Sequence, residues 1–439
     1  MEATTRPAAV PATPARSLSR LAVPVRHEYG LFVVGAGAIT VHVLDDSFVQ
    51  PEAGTSAGDH LVSGLVPVAV LALLGACYLR FRAGLRAAVA IAVGFLGAIG
   101  GAGEAGYYTL KVGPGRDDYT GLLMIPAGLL LIGLGVVTLW KSRHRTGSLL
   151  RRSLRRGALA LGSALLAYQL LSIAYAYVFT HAARAVVPEA RLGVDYQNVT
   201  FSTSDGLELA GWYIPSKNRA AVIAFPGRKS PQRHARMLAR HGYGVLLFDR
   251  RGEGESEGDP EALGWTGDRD VKAALAFLRN RPDVDPDRIG GIGLSVGGEM
   301  LLQTAARSQA LKAVVSEGAG IRSIREELEL PGATRWALLA QWSLSTAATA
   351  VFSNHAPPPN LKGLVGRIAP RPVFLIYAAD GQGGEQELNP KFFAAAHEPK
   401  TLWVIPNGAH IGGISTRPAD YERRVIAFFD DALLKGERP

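Results

Sequence analysis

The chain has 439 residues, enough for two or three domains that each bury a core. Its formal net charge is +9, yet Lys and Arg exceed Asp and Glu by 16 − 9 = 7 within residues 1–156, which leaves +2 for the larger remainder. That remainder has no basic stripe interleaved with aromatics, which argues against nucleic acid as a partner. A single cysteine, Cys77, excludes an intrachain disulfide.

Residues 1–28, with Pro7, Pro11 and Pro14 among small residues, read as a disordered cytoplasmic tail. A membrane domain follows over residues 29–180. Crossing the hydrocarbon core takes about 20 apolar residues in a helix. Residues 61–79, 87–103, 121–140 and 158–180 meet that length without an acidic or basic residue, and residues 29–44, containing His42, form a shorter fifth block. Cys77 lies inside one of these blocks and reads as a small apolar side chain.

Cytoplasmic loops carry an excess of Lys and Arg. With five spans, Arg6, Arg16, Arg20 and Arg26, then Arg80, Arg82 and Arg86, then Lys141, Arg143, Arg145, Arg151, Arg152, Arg155 and Arg156 all fall on one side. The opposite loops hold Asp45, Asp46, Glu52 and Asp59, and then Lys111 and Arg116 balanced by Glu104, Asp117 and Asp118. This pattern predicts a cell-membrane, multi-pass protein with the N-terminus inside and everything after Thr180 extracytoplasmic. No charge sits at the centre of a span, which disfavours ion transport.

After a linker at 181–193 the pattern changes to short β-branched runs bounded by turn residues. Residues 198–204 and 207–214, joined by Asp205-Gly206, read as a hairpin. Apolar runs at 221–225, 244–248, 289–294, 313–316, 373–377 and 402–405 alternate with helical patterns at 234–241, 267–280, 297–308, 390–397 and 418–434. The alternation predicts an α/β domain over 194–439 with a mainly parallel sheet and helices on both faces. Its reactive groups belong at the carboxyl ends of the strands.

There the sequence Gly293-Leu294-Ser295-Val296-Gly297 runs from a strand into a helix. Small residues two positions either side of a serine allow a strained strand-to-helix turn that lifts the hydroxyl clear of the sheet. Ser295 is thus the candidate nucleophile, and the Val296 amide a candidate oxyanion donor. His410, in VIPNGAHIGG after the last strand, is the candidate general base. Asp380, just past the strand at 373–377, is the first choice of orienting acid, and Glu385 the alternative. Glu387 in the same loop and Glu317 after the preceding strand are further candidates. A second oxyanion donor is expected from Phe225-Pro226-Gly227-Arg228-Lys229, at the Arg228 amide. The side chains of Arg228 and Lys229 read as a solvated pair at the mouth or as contacts for an acidic substrate.

These residues resemble the α/β-hydrolase superfamily, in its bacterial peptidase-like and esterase-like branch. The resemblance covers about residues 194–434 and rests on SDGLELAGWYIPS, HGYGVLLFDRRGEGESEG, GIGLSVGG and VIPNGAHIGG in that order. It implies an α/β-hydrolase fold and a structural role for Asp249-Arg250-Arg251-Gly252-Glu253-Gly254-Glu255-Ser256. The chain departs from relatives at Pro226-Gly227, where His-Gly is usual, and in a Gly-rich acid loop without the common Asp-x-x-Val-Pro form. Residues 321–364, with Trp336, Leu338, Leu339 and Trp342, resemble a helical cap insertion.

The expected function is a membrane-anchored serine hydrolase cleaving an ester, thioester or amide through an acyl-enzyme. Its expected partners are a small-molecule or lipid-like substrate and the lipid bilayer. The chemistry calls for no cofactor and no metal. The alternative is a catalytically inactive hydrolase-fold scaffold at the membrane.

Overall fold

The computed structural model describes residues 23–435 apart from 52–55, 107–108, 111–117, 142–147, 182–183, 185, 261–263 and 333. The expected tail with Arg6, Arg16 and Arg20, and the loop residues Glu52, Lys111, Arg116, Asp117, Arg143 and Arg145, lie outside the described residues. The chain divides into two compact units, one of residues 1–44 and 67–167, the other of 45–66 and 168–439.

The first unit is helical. Its elements are α1 (Val23–Leu44), α2 (Leu61–Tyr78), which begins in the other unit, α3 (Ala83–Gly101), α4 (Asp118–Lys141) and the first part of α5 (Leu149–His181). Among the described residues five helices are long and apolar enough to cross a membrane, the first over 25–49 and the last over 153–181. The short apolar block at 29–44 is thus part of a longer helix, extended at both ends. Helices α3 and α4 approach closely because both present glycines. A Cβ on Gly94 would lie 2.5 Å from the Gly128 carbonyl oxygen, and one on Gly101 2.8 Å from that of Gly121. With no side chain between them the two backbones come into direct contact along these positions. At one end of the unit Arg86 Nε donates to Glu28 Oε1 at 2.8 Å and Tyr78 Oη to the same oxygen at 3.2 Å, fixing the foot of α1 beside the α2–α3 turn.

The second unit is built on an eight-stranded sheet of order β1-β2-β4-β3-β5-β6-β7-β8. The strands are β1 (Gln197–Ser202), β2 (Glu208–Ile214), β3 (Ala221–Phe225), β4 (Gly244–Phe248), β5 (Ile289–Leu294), β6 (Ala313–Glu317), β7 (Val373–Ala378) and β8 (Lys400–Ile405). β1 pairs antiparallel with β2 and β2 antiparallel with β4, and every pairing from β4 to β8 is parallel. Both faces are covered, so the central strands are apolar throughout rather than alternating. Along β3, Ala221, Ile223 and Phe225 enter one core cluster while Val222 and Ala224 enter the other, as the two-residue side-chain period requires.

The covering helices are α6 (Gln232–Arg240), α7 (Asp268–Arg279), α8 (Val296–Arg307), α11 (Glu385–Ala395), α12 (Gly413–Thr416) and α13 (Pro418–Phe429). Between β6 and β7 stands the expected helical insertion, with α9 (Ile324–Leu328) and α10 (Thr334–Ser353). One element starts well before its expected position. The helical pattern in the sequence starts at Pro390, whereas α11 begins at Glu385 and carries Pro390 inside it.

Candidate functional site

The strand β5 ends at Leu294 and α8 begins at Val296, so a single residue, Ser295, makes the whole turn, with φ 51° and ψ −123°. A non-glycine residue holds such a backbone only where its surroundings over-determine it. Ser295 N–H donates to the Glu317 carbonyl at 2.8 Å, tying the turn to the neighbouring strand. A Cβ on Gly293 would sit 2.5 Å from the Gly297 carbonyl carbon, and one on Gly297 2.6 Å from Pro226 N. The spacing of the two glycines therefore reflects a close pack of strand, helix and the loop after β3.

His410 stands on the turn after β8. Its Nε2 lies 2.9 Å from Ser295 Oγ and its Nδ1 2.8 Å from Glu385 Oε1. A carboxylate only accepts, so with Glu385 ionised Nδ1 carries the ring proton and Nε2 accepts from the serine hydroxyl. The Glu385 side chain is fully buried while that of His410 is 26% exposed, so the series runs from the interior outward. Glu385 Oε1 also accepts from the Gln382 amide at 3.0 Å and Oε2 from the Ala378 amide at 3.2 Å. Such an arrangement can pass a proton from the serine oxygen to the imidazole and face the resulting cation with a fixed negative charge.

Asp380, the first choice for the acid, is exposed in the turn after β7, and the carboxylate bonded to His410 is that of Glu385. The cause is the path of the loop. Gly383 and Gly384 both take positive φ, 66° and 74°, and reverse the chain so that the first residue of α11 comes back under the end of β7. Glu317 is not bonded to the imidazole either. Its Oε1 accepts from the Gly413 amide at 2.8 Å and its Oε2 from Tyr421 Oη at 2.5 Å, and burial raises its pKa.

The Arg228 expectation also needs correction. The Arg228 amide donates to Asp249 Oδ1 at 2.9 Å and is thus committed within the fold. Its side chain is buried rather than at a mouth: Nε donates to Asp249 Oδ2 at 2.7 Å, Nη2 reaches Glu255 at 2.9 Å, and the guanidinium lies 5.1 Å from the centre of the Trp212 ring. Lys229 is exposed. The segment 249–256 is accordingly structural, with Ser256 Oγ donating to the Asp249 carbonyl at 2.7 Å and Arg251 paired with Asp270 and Asp205. The Val296 amide opens α8, where the first-turn N–H groups lack intrahelical acceptors. Among the described residues no cluster of three or more His, Cys, Asp or Glu is placed to hold a metal ion.

Residues 197–368 match the family model described as X-Pro dipeptidyl-peptidase (S15 family), a span that includes Ser295 and ends before Glu385 and His410. The chain is 27% identical over 248 residues to the uncharacterized protein YfhR of Escherichia coli, covering 54% of this chain and 81% of that one. It is 30% identical over 237 residues to the uncharacterized protein Rv2307c of Mycobacterium tuberculosis, covering 52% of this chain and 75% of that one. Among solved structures, it is similar to the esterase Pf2001 of Pyrococcus furiosus, at 25% identity and a TM-score of 0.47 over 57% of this chain and 97% of that one. The chain belongs to the α/β-hydrolase superfamily, in one family with the mycobacterial protein.

Within this α/β-hydrolase domain, one group near the site escaped the sequence reading. His234, on α6, is buried with its Nε2 3.2 Å from Tyr421 Oη, and Tyr421 in turn donates to Glu317. Burial depresses the His234 pKa to about 3, so the ring is neutral. The row His234–Tyr421–Glu317–Gly413 ends three residues past His410 and supports that turn from below. No local motif announces it, because its members come from four separate segments.

Proposed function

We propose that this chain is a membrane-anchored serine hydrolase that cleaves a carboxylic ester, thioester or amide, with Ser295 as nucleophile, His410 as general base and Glu385 as the acid that orients it. The observation that carries the proposal is the 2.9 Å and 2.8 Å pair of contacts from Ser295 through His410 to Glu385, set on a strained strand-to-helix turn. Ser295 Oγ bonds to the substrate carbonyl carbon as its proton passes to His410 Nε2. The Val296 amide faces the developing oxyanion, and the same proton then leaves with the alcohol, thiol or amine. Water, deprotonated by His410, cleaves the acyl-serine and releases the acid.

The reading of a membrane anchor rests on the five apolar helices, and the excess of Lys and Arg in alternate loops supports an extracytoplasmic hydrolase domain. The pairing of Arg86 with Glu28 supports a first span that starts at the same end as the α2–α3 turn. The test is labelling of the purified full-length protein with a fluorophosphonate probe. Wild type is expected to label and Ser295→Ala is not. Absence of labelling at a concentration that modifies known serine hydrolases overturns the reading.

One observation favours the second reading, a catalytically inactive scaffold: the Arg228 amide is withheld by Asp249. A cellular phenotype that survives Ser295→Ala but not deletion of the chain selects it.

A further inference from the structure

We propose that Glu299 is a positioning residue for the Ser295–His410–Glu385 row: from the helix that carries the serine it fixes residues 318–321, and these hold the His410 ring and the Glu385 loop in register. This rests on the reading of the chain as a serine hydrolase. The sequence Gly318-Ala319-Gly320-Ile321 leaves β6 without forming a helix or strand, and its first three residues are buried. Buried backbone groups need partners, and here they come from outside the segment. Gly318 N–H donates to the Ile376 carbonyl at 2.9 Å, Gly320 N–H to Glu299 Oε1 at 3.0 Å and Ile321 N–H to the Gly383 carbonyl at 2.9 Å. The Ala319 carbonyl accepts from Asn389 Nδ2 at 2.8 Å, and the same nitrogen donates to the Glu385 carbonyl at 2.8 Å.

The segment touches both the base and the acid. Gly318 has φ 75°, and a Cβ there would lie 3.0 Å from His410 Cε1 and 3.2 Å from its Nδ1, so the backbone backs the imidazole edge that meets Glu385. A Cβ on Gly320 would lie 2.4 Å from the Gly383 carbonyl oxygen, so the two backbones are in contact beside the start of α11. Residues 318–321 are thus a common wall for His410 and the acid loop. Glu299 is the side chain that ties this wall to the nucleophile's own helix.

Its place on α8 suits the task. Glu299 stands one turn after Ser295, with its N–H on the Ser295 carbonyl at 3.2 Å, where the helix dipole favours a carboxylate. The residue is 7% exposed. Arg322, also buried, donates through Nη1 to the Glu299 carbonyl at 3.3 Å and through Nη2 to Gln303 Oε1, which leaves Glu299 Oε1 to Gly320. Without that acceptor the Gly320 amide has to move to find another, and the wall moves with it. A misplacement of about 1 Å in such a site can cost roughly 10²-fold in rate.

The test uses the full-length protein in detergent with a fluorophosphonate probe in excess. The end point of labelling counts folded sites, and the initial rate reports how well His410 activates Ser295. Glu299→Ala is expected to reach the wild-type end point at a tenfold or greater loss of rate, and to lose kcat on p-nitrophenyl acetate to match, with KM changed less than twofold. Glu299→Gln, whose amide oxygen still accepts from Gly320, should stay within threefold of wild type. A lower end point for Glu299→Ala with wild-type kcat per labelled site shows a loss of folded protein alone and overturns the positioning role. A Gln variant as slow as the Ala variant overturns it too. Should Glu299→Ala give no folded protein, Glu299→Asp, too short to reach Gly320, decides by the same two readings: slow labelling to a full end point upholds the role, and a wild-type rate overturns it. Wild type that does not label removes the serine-hydrolase reading itself, and this inference with it.

Discussion

Gly381 has no side chain because Glu385 occupies the space: a Cβ there would fall on Oε1, the oxygen that His410 Nδ1 contacts at 2.8 Å. The carboxylate folds back over its own loop, and a methyl group at 381 would push it off the imidazole. Gly381→Ala is therefore expected to lower kcat nearly as far as Glu385→Gln, by about 10³–10⁴-fold, since the histidine then loses the partner that sets its tautomer. Asp380→Asn, in the exposed turn, should stay within twofold of wild type. Steady-state kinetics on a soluble short-chain ester compares the three, and equal losses at 380 and 385 would remove Glu385 from its assigned role.

The contrast between Asp380 and Glu385 also marks how far the amino-acid sequence could be read. The sheet was legible because each strand is a contiguous apolar run. Ser295 and His410 were legible as positions because each sits in a short string next to a strand end. What joins them to other groups was not. Glu385 depends on two left-handed glycines and on a helix that starts five residues before Pro390. The Arg228 amide depends on Asp249, 21 residues away, whose carboxylate turns toward it. Long-range partners of this kind leave no periodicity to detect.

Glu317 is expected to act as a positioning residue for His410. Its Oε1 holds the Gly413 amide at 2.8 Å, and its backbone carbonyl holds the Ser295 amide at 2.8 Å, so one residue ties both sides of the site together. In Glu317→Gln the amide oxygen still accepts from Gly413, its NH2 donates to Tyr421, and the tyrosine hydroxyl turns to the neutral His234. That variant should keep kcat within about threefold, since the hydrogen-bond count is preserved. Glu317→Ala leaves the Gly413 amide unpaired and the Tyr421 hydroxyl with His234 as its remaining partner. A loss of about tenfold or more in kcat with little change in KM is expected, because the effect falls on the alignment of His410 rather than on binding. Equal kinetics of the Gln and Ala variants would refute the assignment.

His234 predicts an acid-side loss of stability. Its pKa is depressed to about 3 in the folded chain against 6.5 for a free histidine, so on unfolding below pH 6.5 the ring takes up a proton. Its stabilising contribution is complete above pH 6.5 and declines as pH falls toward 3. The slope approaches about 1.4 kcal/mol per pH unit while only the unfolded state is protonated. His234→Gln should lower stability at neutral pH but shallow the decline between pH 6 and 4. Denaturant unfolding of the full chain in detergent at stepped pH reads the difference, and parallel curves for variant and wild type would contradict it.

Arg228 and Asp249 form a buried pair, with side chains 3% and 8% exposed. Removing one partner of such a pair leaves the other charge without compensation, at a cost of about 3–5 kcal/mol. Arg228→Met is therefore expected to destabilise the hydrolase domain by that amount. Replacing both residues, as Arg228→Met with Asp249→Leu, should recover part of the loss, because no buried carboxylate is left without its partner and the new side chains meet the Trp212 ring. The recovery is incomplete, since Asp249 also receives the Arg228 amide and its neighbour Glu255 meets the same guanidinium. The kinetic outcome separates this pair from a substrate contact. KM for an anionic ester should equal that for its neutral analogue in every folded variant, whereas a selective rise for the anionic ester in Arg228→Met would show that the guanidinium does meet substrate.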